Sequence, residues 1–447
     1  MPPSAYNVGS SCYWLFFFLA GTFFFMSMTS SVTGFPLKHS RELLLALAMA
    51  FAPVMATAQK APAAPAAAPA APVPATAPTL APASTIASVS DLSSIPSPTV
   101  AATAWLTLDV NSGQIIGASN AQQQIEPASL TKIMAAYVVF DALAQKRITL
   151  DQTFNVSEKA WKTEGSRMFI NLNSQVSVDD LLQGLIVQSG NDATVALAEG
   201  VAGSESAFVA LMNEQAAKMG LKDTHFMNSP GLPDPQHLTT VHDLGILAKN
   251  LVADFPQYLH YYSQKEFTYN KIKQPNRNRL LWVDSTVDGL KTGHTKAAGY
   301  CLVSTAMRDG RRVVSVLVGA PSDSARSESS LKLLNWSFQN FDTLKLFDDA
   351  HPAVKARVWE GQVESVDLGE LKPIWVTVPR GKGPEIKPVA EYTQPLIAPL
   401  SKGTKVGTVT LSLGDQALRQ ESLLVLNDVA QAGIFSRIYD KIRLMFE

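Results

Sequence analysis

The chain of 447 residues is poor in cysteine and has no excess of positive charge. Its two cysteines, Cys12 and Cys301, cannot build a disulfide framework, and neither has a partner at zinc-ligand spacing. Lys and Arg total 37 against 38 for Asp and Glu, so there is no basic field to hold a phosphate backbone. We therefore expect no resident metal, no cofactor and no nucleic-acid partner.

Histidine motifs of metalloenzymes are also missing. The central histidines could be combined on paper into a triad or a metal site, and these are His225, His237, His242 and His260. None of them has H-E-x-x-H or H-x-x-H spacing. We expect all four to be structural residues with satisfied hydrogen bonds.

Alanine and proline are concentrated in one stretch. Residues 59–83 are almost entirely Ala and Pro, a composition that cannot bury a core and that favours an extended, semi-rigid linker. We assign residues 59–97 to this linker. The remaining length suggests two or three domains, and 46% hydrophobic with 17% charged residues is a globular composition.

Before the linker lies a segment typical of export signals. Residues 42–58 are an apolar run that follows two basic residues and ends in Ala56-Thr57-Ala58, the small-x-small pattern of a signal-peptidase site. We therefore assign residues 1–58 to targeting and expect the mature chain to begin near Gln59.

An earlier apolar run, Tyr13–Met26, is short for a membrane span and has no basic residue before it. Either translation begins at Met26 or Met28, or this run is a signal anchor. Loss of residues 1–58 removes two basic residues and one acidic residue, which leaves 35 basic and 37 acidic residues and Cys301 as the remaining cysteine. The exported form is then expected to have no internal disulfide.

The folded region starts with a predicted hairpin and a predicted helix. Residues 104–109 and 114–119 are β-rich and are joined by Asn111-Ser112-Gly113. Pro127 then opens an apolar-rich stretch with helical spacing that runs to about Leu143. Residues 129 and 132 are separated by three positions, so their side chains share one face of this helix.

Ser129 and Lys132 are a candidate nucleophile and base. Serine is a weak nucleophile until a neighbour removes its proton, and lysine does so when burial or another cation lowers its pKa. A helix N-terminus also favours the negative charge that develops in acyl transfer. The same S-x-x-K spacing recurs at Ser329 and Lys332, so the pattern alone is equally that of a surface helix.

Two further motifs accompany the first S-x-x-K. Ser189-Gly190-Asn191 lies between predicted helices at about 178–187 and 193–201. Lys291-Thr292-Gly293 follows a predicted strand at 286–290, and a hairpin turning at Asp309-Gly310 comes next.

Three elements in the order S-x-x-K, S-x-N and K-T-G resemble the serine penicillin-recognising enzymes, and within them the D-alanyl-D-alanine carboxypeptidases of the penicillin-binding protein 5/6 type. The resemblance covers about residues 98–447. It is carried also by residues 127–132, 189–193, 228–232, 276–278 and 288–295. It implies an α+β fold, with a β-lactamase/transpeptidase-like catalytic domain of antiparallel sheet and helices at 98–348.

The resemblance also implies roles for the motif residues. Ser129 would attack the carbonyl of a terminal D-alanyl-D-alanine bond while Lys132 takes its proton. Ser189 would pass a proton to the leaving D-alanine, and Asn191 would bind the substrate amide. Lys291 would help to keep Lys132 neutral through like-charge repulsion.

The third motif and its surroundings would bind the rest of the substrate. The main-chain N–H groups of Ser129 and His294 would form the oxyanion hole, and Gly293 lies on the strand along which the substrate docks. Thr292 and Arg326 are the candidates for binding the free carboxylate.

We therefore expect a serine carboxypeptidase that trims peptidoglycan stem pentapeptides and is acylated and inhibited by β-lactam antibiotics. A β-lactamase is disfavoured, because the E-x-x-L-N signature is absent and we expect Glu164, the nearby acid, to lie on an exposed loop. The alternatives are an endopeptidase of the same fold that cuts peptidoglycan cross-links and a non-catalytic wall-binding protein.

The last part of the chain predicts a second domain and a membrane anchor. Residues 349–427 hold short β-rich runs that indicate a small all-β sandwich. In the segment 428–447, a helix over Ile434–Glu447 would collect its apolar residues on one side, with Leu444 as the exception. We expect this helix to lie in the periplasmic surface of the cytoplasmic membrane with its basic residues toward anionic lipid. The alternative is a helix packed on the β-rich domain.

Overall fold

The computed structural model describes residues 88–92, 95–347 and 351–446. The predicted targeting segment and the Ala/Pro-rich part of the linker lie outside these residues. The end of the predicted linker, in contrast, is part of the fold: Val89–Leu92 forms a 3-10 turn, and Val89 is buried beside Trp336. The folded region therefore begins before residue 98, because apolar residues replace Ala and Pro here and enter the core.

The centre of the first domain is an antiparallel sheet of five strands in the order β2-β1-β9-β8-β7. Its strands are β1 Ala104–Asp109, β2 Ile115–Ser119, β7 Val287–Thr295, β8 Gly299–Arg308 and β9 Arg311–Ala320. Both predicted hairpins are confirmed, with positive φ angles at Gly113 and at Gly310 where the chain turns. Strand β7 is longer than predicted, so that K-T-G lies on an edge strand of this sheet.

Helices cover both faces of the sheet because its strands alternate apolar residues toward each side. On one face Leu106 and Leu108 of β1 pack with Leu244, and on the other Trp105 packs with Leu333. The longer helices are α1 Lys132–Ala144, α3 Val178–Ile186, α4 Asn191–Ala202, α5 Glu205–Met219, α6 Val241–Asp254 and α9 Asp323–Asn340. The short elements are α2 Glu158–Lys162, α7 His260–Ser263 and α8 Leu280–Val283, with the strand pairs β3 Thr153–Asn155 and β4 Gln175–Ser177, and β5 Glu266–Tyr269 and β6 Ile272–Pro275.

The predicted all-β domain is confirmed and consists of two sheets around one core. The strands of the larger sheet, in the order β14-β16-β17-β12-β11-β15, are β11 Val354–Trp359, β12 Ser365–Gly369, β14 Ile386–Tyr392, β15 Leu396–Ile397, β16 Lys405–Leu413 and β17 Gln416–Val425. The smaller sheet pairs β10 Phe341–Phe347 with β13 Ile374–Pro379. The domain thus begins before the predicted boundary at residue 349, because the chain passes directly from α9 into β10.

A buried polar cluster joins the two domains. Asp109 at the end of β1 accepts hydrogen bonds from Arg311 Nε at 2.8 Å, from Thr343 Oγ1 at 2.6 Å and from Ser112 N at 3.0 Å. Ser112 Oγ lies 2.7 Å from Thr377 Oγ1 of β13. Since Asp109 is fully buried, these contacts supply the partners that a buried carboxylate requires.

The predicted C-terminal helix is confirmed as α10, Ile434–Leu444. The exposed apolar residues of this helix and of the two positions after it, here called the apolar stripe, are Ile434, Phe435, Ile438, Tyr439, Ile442, Met445 and Phe446. Two basic residues of the helix, Arg437 and Lys441, lie near Glu360 of the β-rich domain. The expectation that the basic residues face lipid stays a prediction.

No single helix of the described residues is long and apolar enough to cross a bilayer. By length and composition alone the bent pair of α4 and α5 could do so, but α4 is largely buried in the core of the first domain.

Candidate active site

A cavity of about 860 Å³ opens beside β7 and collects most of the predicted site residues. Those that line it are Ser129, Ser189, Thr292, Gly293, His294 and Arg326. Lys132, Asn191 and Lys291 are buried behind its wall. The fold therefore brings together three motifs, of which the first begins at Ser129 and the last at Lys291 in the sequence.

Ser129 lies in a tight turn directly before helix α1. Residues 128–131 form a 3-10 turn that runs into α1, and Ala128 has a φ of 49°, a strained value for a residue with a Cβ. Gly231 packs against this turn so closely that a Cβ there would overlap the Ala128 carbonyl. Gly293 of β7 approaches from the other side, where a Cβ would lie 3.3 Å from Leu130 N. Glycine at both positions lets the main chains meet around the nucleophile.

Lys132 has the properties of a general base. Its Nζ lies 3.3 Å from Ser129 Oγ and donates to Asn191 Oδ1 and to the Pro230 carbonyl, each at 2.7 Å. Burial, with a smaller contribution from the positive charge of Arg277, lowers the pKa of Lys132 from 10.5 to about 7. A substantial fraction of Lys132 is therefore neutral near pH 7, as a proton acceptor must be.

Lys291 lies close to three other basic side chains at the cavity. Burial, followed by the charges of Lys132, Arg277 and Arg326, holds the pKa of Lys291 well below its usual range. Arg277 lines the cavity between Asn276 and Asn278, whose buried side chains donate to main-chain carbonyls of residues 264 and 289. Sequence reasoning noted this Asn-Arg-Asn stretch but did not place Arg277 among the site residues.

Asp192, which directly follows the Ser189-Gly190-Asn191 motif, holds that motif against a neighbouring loop. Asp192 is fully buried, and its carboxylate accepts hydrogen bonds from the main-chain N–H groups of Met168 and Phe169, each at 2.9 Å. This anchors the loop that forms one wall of the cavity. Ser189, on the cavity side, has a φ of 66°, which is again unusual for a residue other than glycine.

Asn191 connects the base to the same loop. Its Oδ1 accepts from Lys132, and its Nδ2 donates to the Glu164 carbonyl at 2.6 Å. Both ends of this amide are thus engaged with protein groups. The predicted contact of Asn191 with a substrate amide stays a prediction, and the geometry adds a second role, which is to orient Lys132.

Sequence reasoning gave no role to the loop of residues 228–232, yet its Pro230 carbonyl is one of the two acceptors of Lys132. Asn228 Oδ1 accepts from the main-chain N–H of Gly231 at 2.9 Å, which closes the loop. Glu205 accepts from Ser229 N at 2.9 Å and from Ser229 Oγ at 2.8 Å, which ties the loop to α5. The role of a main-chain carbonyl cannot be predicted from residue type, because every residue has one. In the sequence this stretch was noticed only through the family resemblance.

Arg326 lies on the far wall of the cavity at the start of α9. Its guanidinium bonds to Asp323, donates to the Arg277 carbonyl and lies 5.9 Å from the centre of the Tyr300 ring. Together with Arg277 and Arg279 it gives this end of the cavity three guanidinium groups against the carboxylate of Asp323, a net positive lining. Such a lining suits a free carboxylate.

The residues that sequence analysis considered but did not assign to the site make other contacts. Ser329 Oγ accepts from Ala101 N at 3.3 Å, and Lys332 Nζ donates to the Thr99 carbonyl at 2.8 Å, so this second S-x-x-K fastens the start of the domain to α9. His237 is buried against Thr131, and burial lowers the pKa of His237 to about 4. Glu164 is exposed, as expected, and serves the site through its carbonyl.

The arrangement suits acyl transfer to a serine. In the parts of the chain that the structure covers, no group of three His, Cys, Asp or Glu residues is placed to hold a metal ion. A serine beside a lysine of lowered pKa, a tight backbone turn at that serine and arginine side chains in the cavity lining together suit a peptide that ends in a carboxylate.

Two protein families match the chain. Residues 91–322 match the family described as D-alanyl-D-alanine carboxypeptidase, and residues 341–431 match the penicillin-binding protein 5 C-terminal domain. D-alanyl-D-alanine carboxypeptidase DacC of Escherichia coli K12 is 42% identical over 360 residues, which is 79% of this chain and 90% of that protein.

Solved structures agree with these matches. Penicillin-binding protein 5 from Haemophilus influenzae is 42% identical, with a TM-score of 0.72 over 75% of this chain and all of that one. Penicillin-binding protein D2 from Listeria monocytogenes in its ampicillin-bound form is 30% identical, with a TM-score of 0.51 over 55% of this chain and all of that one.

Proposed function

Because this chain belongs to the D-alanyl-D-alanine carboxypeptidase family, we propose that Ser129, Lys132 and Ser189 carry out its serine carboxypeptidase reaction. The enzyme hydrolyses the peptide bond before a terminal D-alanine. The substrate that we propose is the stem pentapeptide of peptidoglycan. The observation that carries the residue assignment is Ser129 facing the cavity with the buried Lys132 Nζ at 3.3 Å.

In the acylation step Ser129 Oγ attacks the carbonyl carbon before the last residue, and neutral Lys132 takes the hydroxyl proton. The Pro230 carbonyl and Asn191 Oδ1 hold the amine in place by accepting hydrogen bonds from its other N–H groups. The N–H groups of Ser129 and His294 stabilise the oxyanion. The low pKa of Lys132 supports this role, since a lysine with its usual pKa would be almost wholly protonated at pH 7.

The leaving D-alanine needs a proton, and in the proposed mechanism Ser189, which lines the cavity, relays it from Lys132. Water then attacks the acyl-enzyme carbonyl, returns the proton to Ser129 and releases the shortened peptide. The carboxylate of the substrate lies toward Thr292 and Arg326, where the cationic wall offsets its charge. Burial and the charge of Arg277, which lower the pKa of Lys132, favour the return of its amine to the neutral form.

Penicillins react at the same serine. A β-lactam presents a strained amide and a carboxylate in the spacing of the D-alanyl-D-alanine end, so the same groups would bind it. A penicillin-binding relative of similar fold binds ampicillin, which supports the assignment.

The test is release of free D-alanine from a peptide that ends in D-Ala-D-Ala. The purified protein is expected to release it, and Ser129→Ala is expected to release none while remaining folded by circular dichroism. An unchanged rate in that variant would remove Ser129 from the nucleophile role. A cross-linked muropeptide in a parallel assay measures any endopeptidase activity.

We further propose that the protein is exported and attached to the periplasmic face of the cytoplasmic membrane by α10. The support is the apolar stripe, whose Phe435 and Phe446 are 89% and 86% exposed, on a helix too short to span a bilayer. Aromatic residues in this stripe suit the membrane interface.

Deletion of residues 430–447 tests the attachment. After removal of the targeting segment, the truncated enzyme is expected to remain in the supernatant when membranes are sedimented, and to cleave a small soluble peptide at the normal rate. If it still sediments with membranes, another surface attaches it.

A further inference from the structure

Glu360, directly after β11, holds the C-terminal helix through both its main chain and its side chain. Its carbonyl accepts from Ala432 N, and its N–H donates to Asp440 Oδ2, each at 2.8 Å. Its carboxylate accepts from Arg437 Nε at 3.1 Å and lies 3.9 Å from Lys441 Nζ. One acidic residue thus fixes the helix and faces two of its three cations.

These contacts decide which side of α10 faces the domain. Arg437, Asp440 and Leu444 are the partly buried positions of the helix, and at about 100° per residue they lie within about 60° of one another. Phe435 and Ile442, the middle of the apolar stripe, lie about 180° away on the opposite side. The position of Leu444 outside the stripe is explained, because it belongs to the side that faces the domain.

We propose that Glu360 sets the lipid preference of this anchor: by pairing with Arg437 and Lys441, it makes attachment depend on the apolar stripe and not on anionic headgroups. The partner is a bilayer surface, including one made only of zwitterionic phospholipid. This inference rests on the membrane attachment proposed above.

The carboxylate of Glu360 already offsets part of the positive charge of Arg437 and Lys441. A lysine or arginine near an anionic membrane surface strengthens binding by roughly fivefold. A cation paired with a carboxylate of its own protein gives less, because the headgroup must displace that partner and the carboxylate itself is repelled by the lipid. The stripe needs no such partner, and a helix already held with its stripe outward loses less conformational freedom on binding.

The test compares two vesicle types with the full chain. One is phosphatidylcholine alone, and the other is phosphatidylcholine mixed with phosphatidylglycerol. The wild type is expected to bind the anionic vesicles at most about fivefold more tightly than the zwitterionic ones, since a single cation of the helix remains outside the Glu360 pairing. Glu360→Gln keeps an acceptor for Arg437 but removes the charge, so it is expected to bind the anionic vesicles about fivefold more tightly and the zwitterionic ones as before.

A matched control is Glu391→Gln. This exposed residue lies on β14, four strands away from β11 in the same sheet, and its loss changes the net charge equally. It is expected to bind both vesicles like the wild type. An equal gain in this control would assign the effect to total charge and overturn the proposal.

A second pair of variants tests the inference without altering Glu360. Arg437→Gln with Lys441→Gln is expected to change binding to anionic vesicles less than about twofold in the wild type, and to cancel the gain in the Glu360→Gln background. A loss of more than about fivefold in the wild-type background overturns the proposal, even if Glu360→Gln fails to fold. Wild-type protein that binds neither vesicle would instead refute the membrane attachment itself.

Discussion

The active site and the C-terminal helix depart in opposite directions from the usual distribution of residues in a folded protein. The first domain buries Lys132 and Lys291, whose ammonium groups normally lie in water. The last helix exposes Phe435, Ile442 and other residues that normally lie in a core. Buried charge and exposed hydrocarbon are each costly, so each marks a place where the surroundings are used for function.

The active site and the C-terminal helix differ in what offsets the unfavourable free energy of buried charge or exposed hydrocarbon. The buried lysines are balanced inside the protein, by carbonyl and amide acceptors and by partial loss of their protons. The exposed stripe has no such balance within the described fold, and the proposed lipid surface would supply it. The first region therefore responds to pH, and the second responds to what surrounds the protein.

The largest effect is expected at the nucleophile. Ser129→Ala should abolish covalent labelling by a fluorescent penicillin, because no acyl bond forms without its hydroxyl. Ser329→Ala, the control in the second S-x-x-K, should label normally because Ser329 only binds Ala101 N. Labelling that survives the first change would mean that another serine is acylated.

The buried base is expected to have the next largest effect. Lys132→Ala should lower the rate of acylation by about 10²–10⁴-fold. In the wild type the pKa of Lys132 is lowered to about 7, and the neutral form reacts. The acylation rate should therefore fall about tenfold per unit below pH 7 and level off above it. Stopped-flow acylation at several pH values checks this, and a rate independent of pH between 5 and 8 would exclude Lys132 as the base.

On the exposed side, two charges in the apolar stripe should release the enzyme from membranes. Each buried apolar side chain contributes about 1.5–3 kcal/mol, so Phe435→Glu with Ile442→Glu should weaken binding by at least about 100-fold. Phe435→Leu with Ile442→Leu keeps the stripe apolar and should bind almost normally. Vesicle co-sedimentation measures both, and equal binding of the two variants would contradict the role of the stripe.

The smallest effect is expected from Glu205, which reaches Lys132 only through Ser229 and Pro230. Glu205→Ala should slow acylation by roughly three- to tenfold because the Pro230 carbonyl loses its support. Glu205→Gln keeps an acceptor and should be closer to the wild type. The KM for a small peptide should change little in either variant. Normal acylation by Glu205→Ala would show that the loop is held by its own contacts.

Local patterns allowed much of this molecule to be predicted. Ser129 and Lys132 are one helical turn apart, and the hairpins carry their turn residues beside the strands they join. The order of the three motifs identified the fold through resemblance. These features depend on neighbours in sequence or on side-chain types, and both are visible in one chain.

The remainder depends on distant main-chain groups and on which surfaces meet. The Pro230 and Glu164 carbonyls hold Lys132 and Asn191, yet any residue has a carbonyl. The position of β10 was missed because its partner β13 comes only after two further strands, β11 and β12, in the sequence. The spacing of apolar residues around a helix predicted the apolar stripe. It could not show that Glu360 lies against the opposite side of α10.

The domain junction has a consequence for how the protein responds to heat. Helix α9 ends at Asn340 and β10 begins at the next residue, so no hinge separates the two domains. Asp109 is buried with Thr343 as one of its partners, and unfolding of the second domain alone would leave that carboxylate without it. The domains are thus coupled into one cooperative unit, which should melt in a single calorimetric transition.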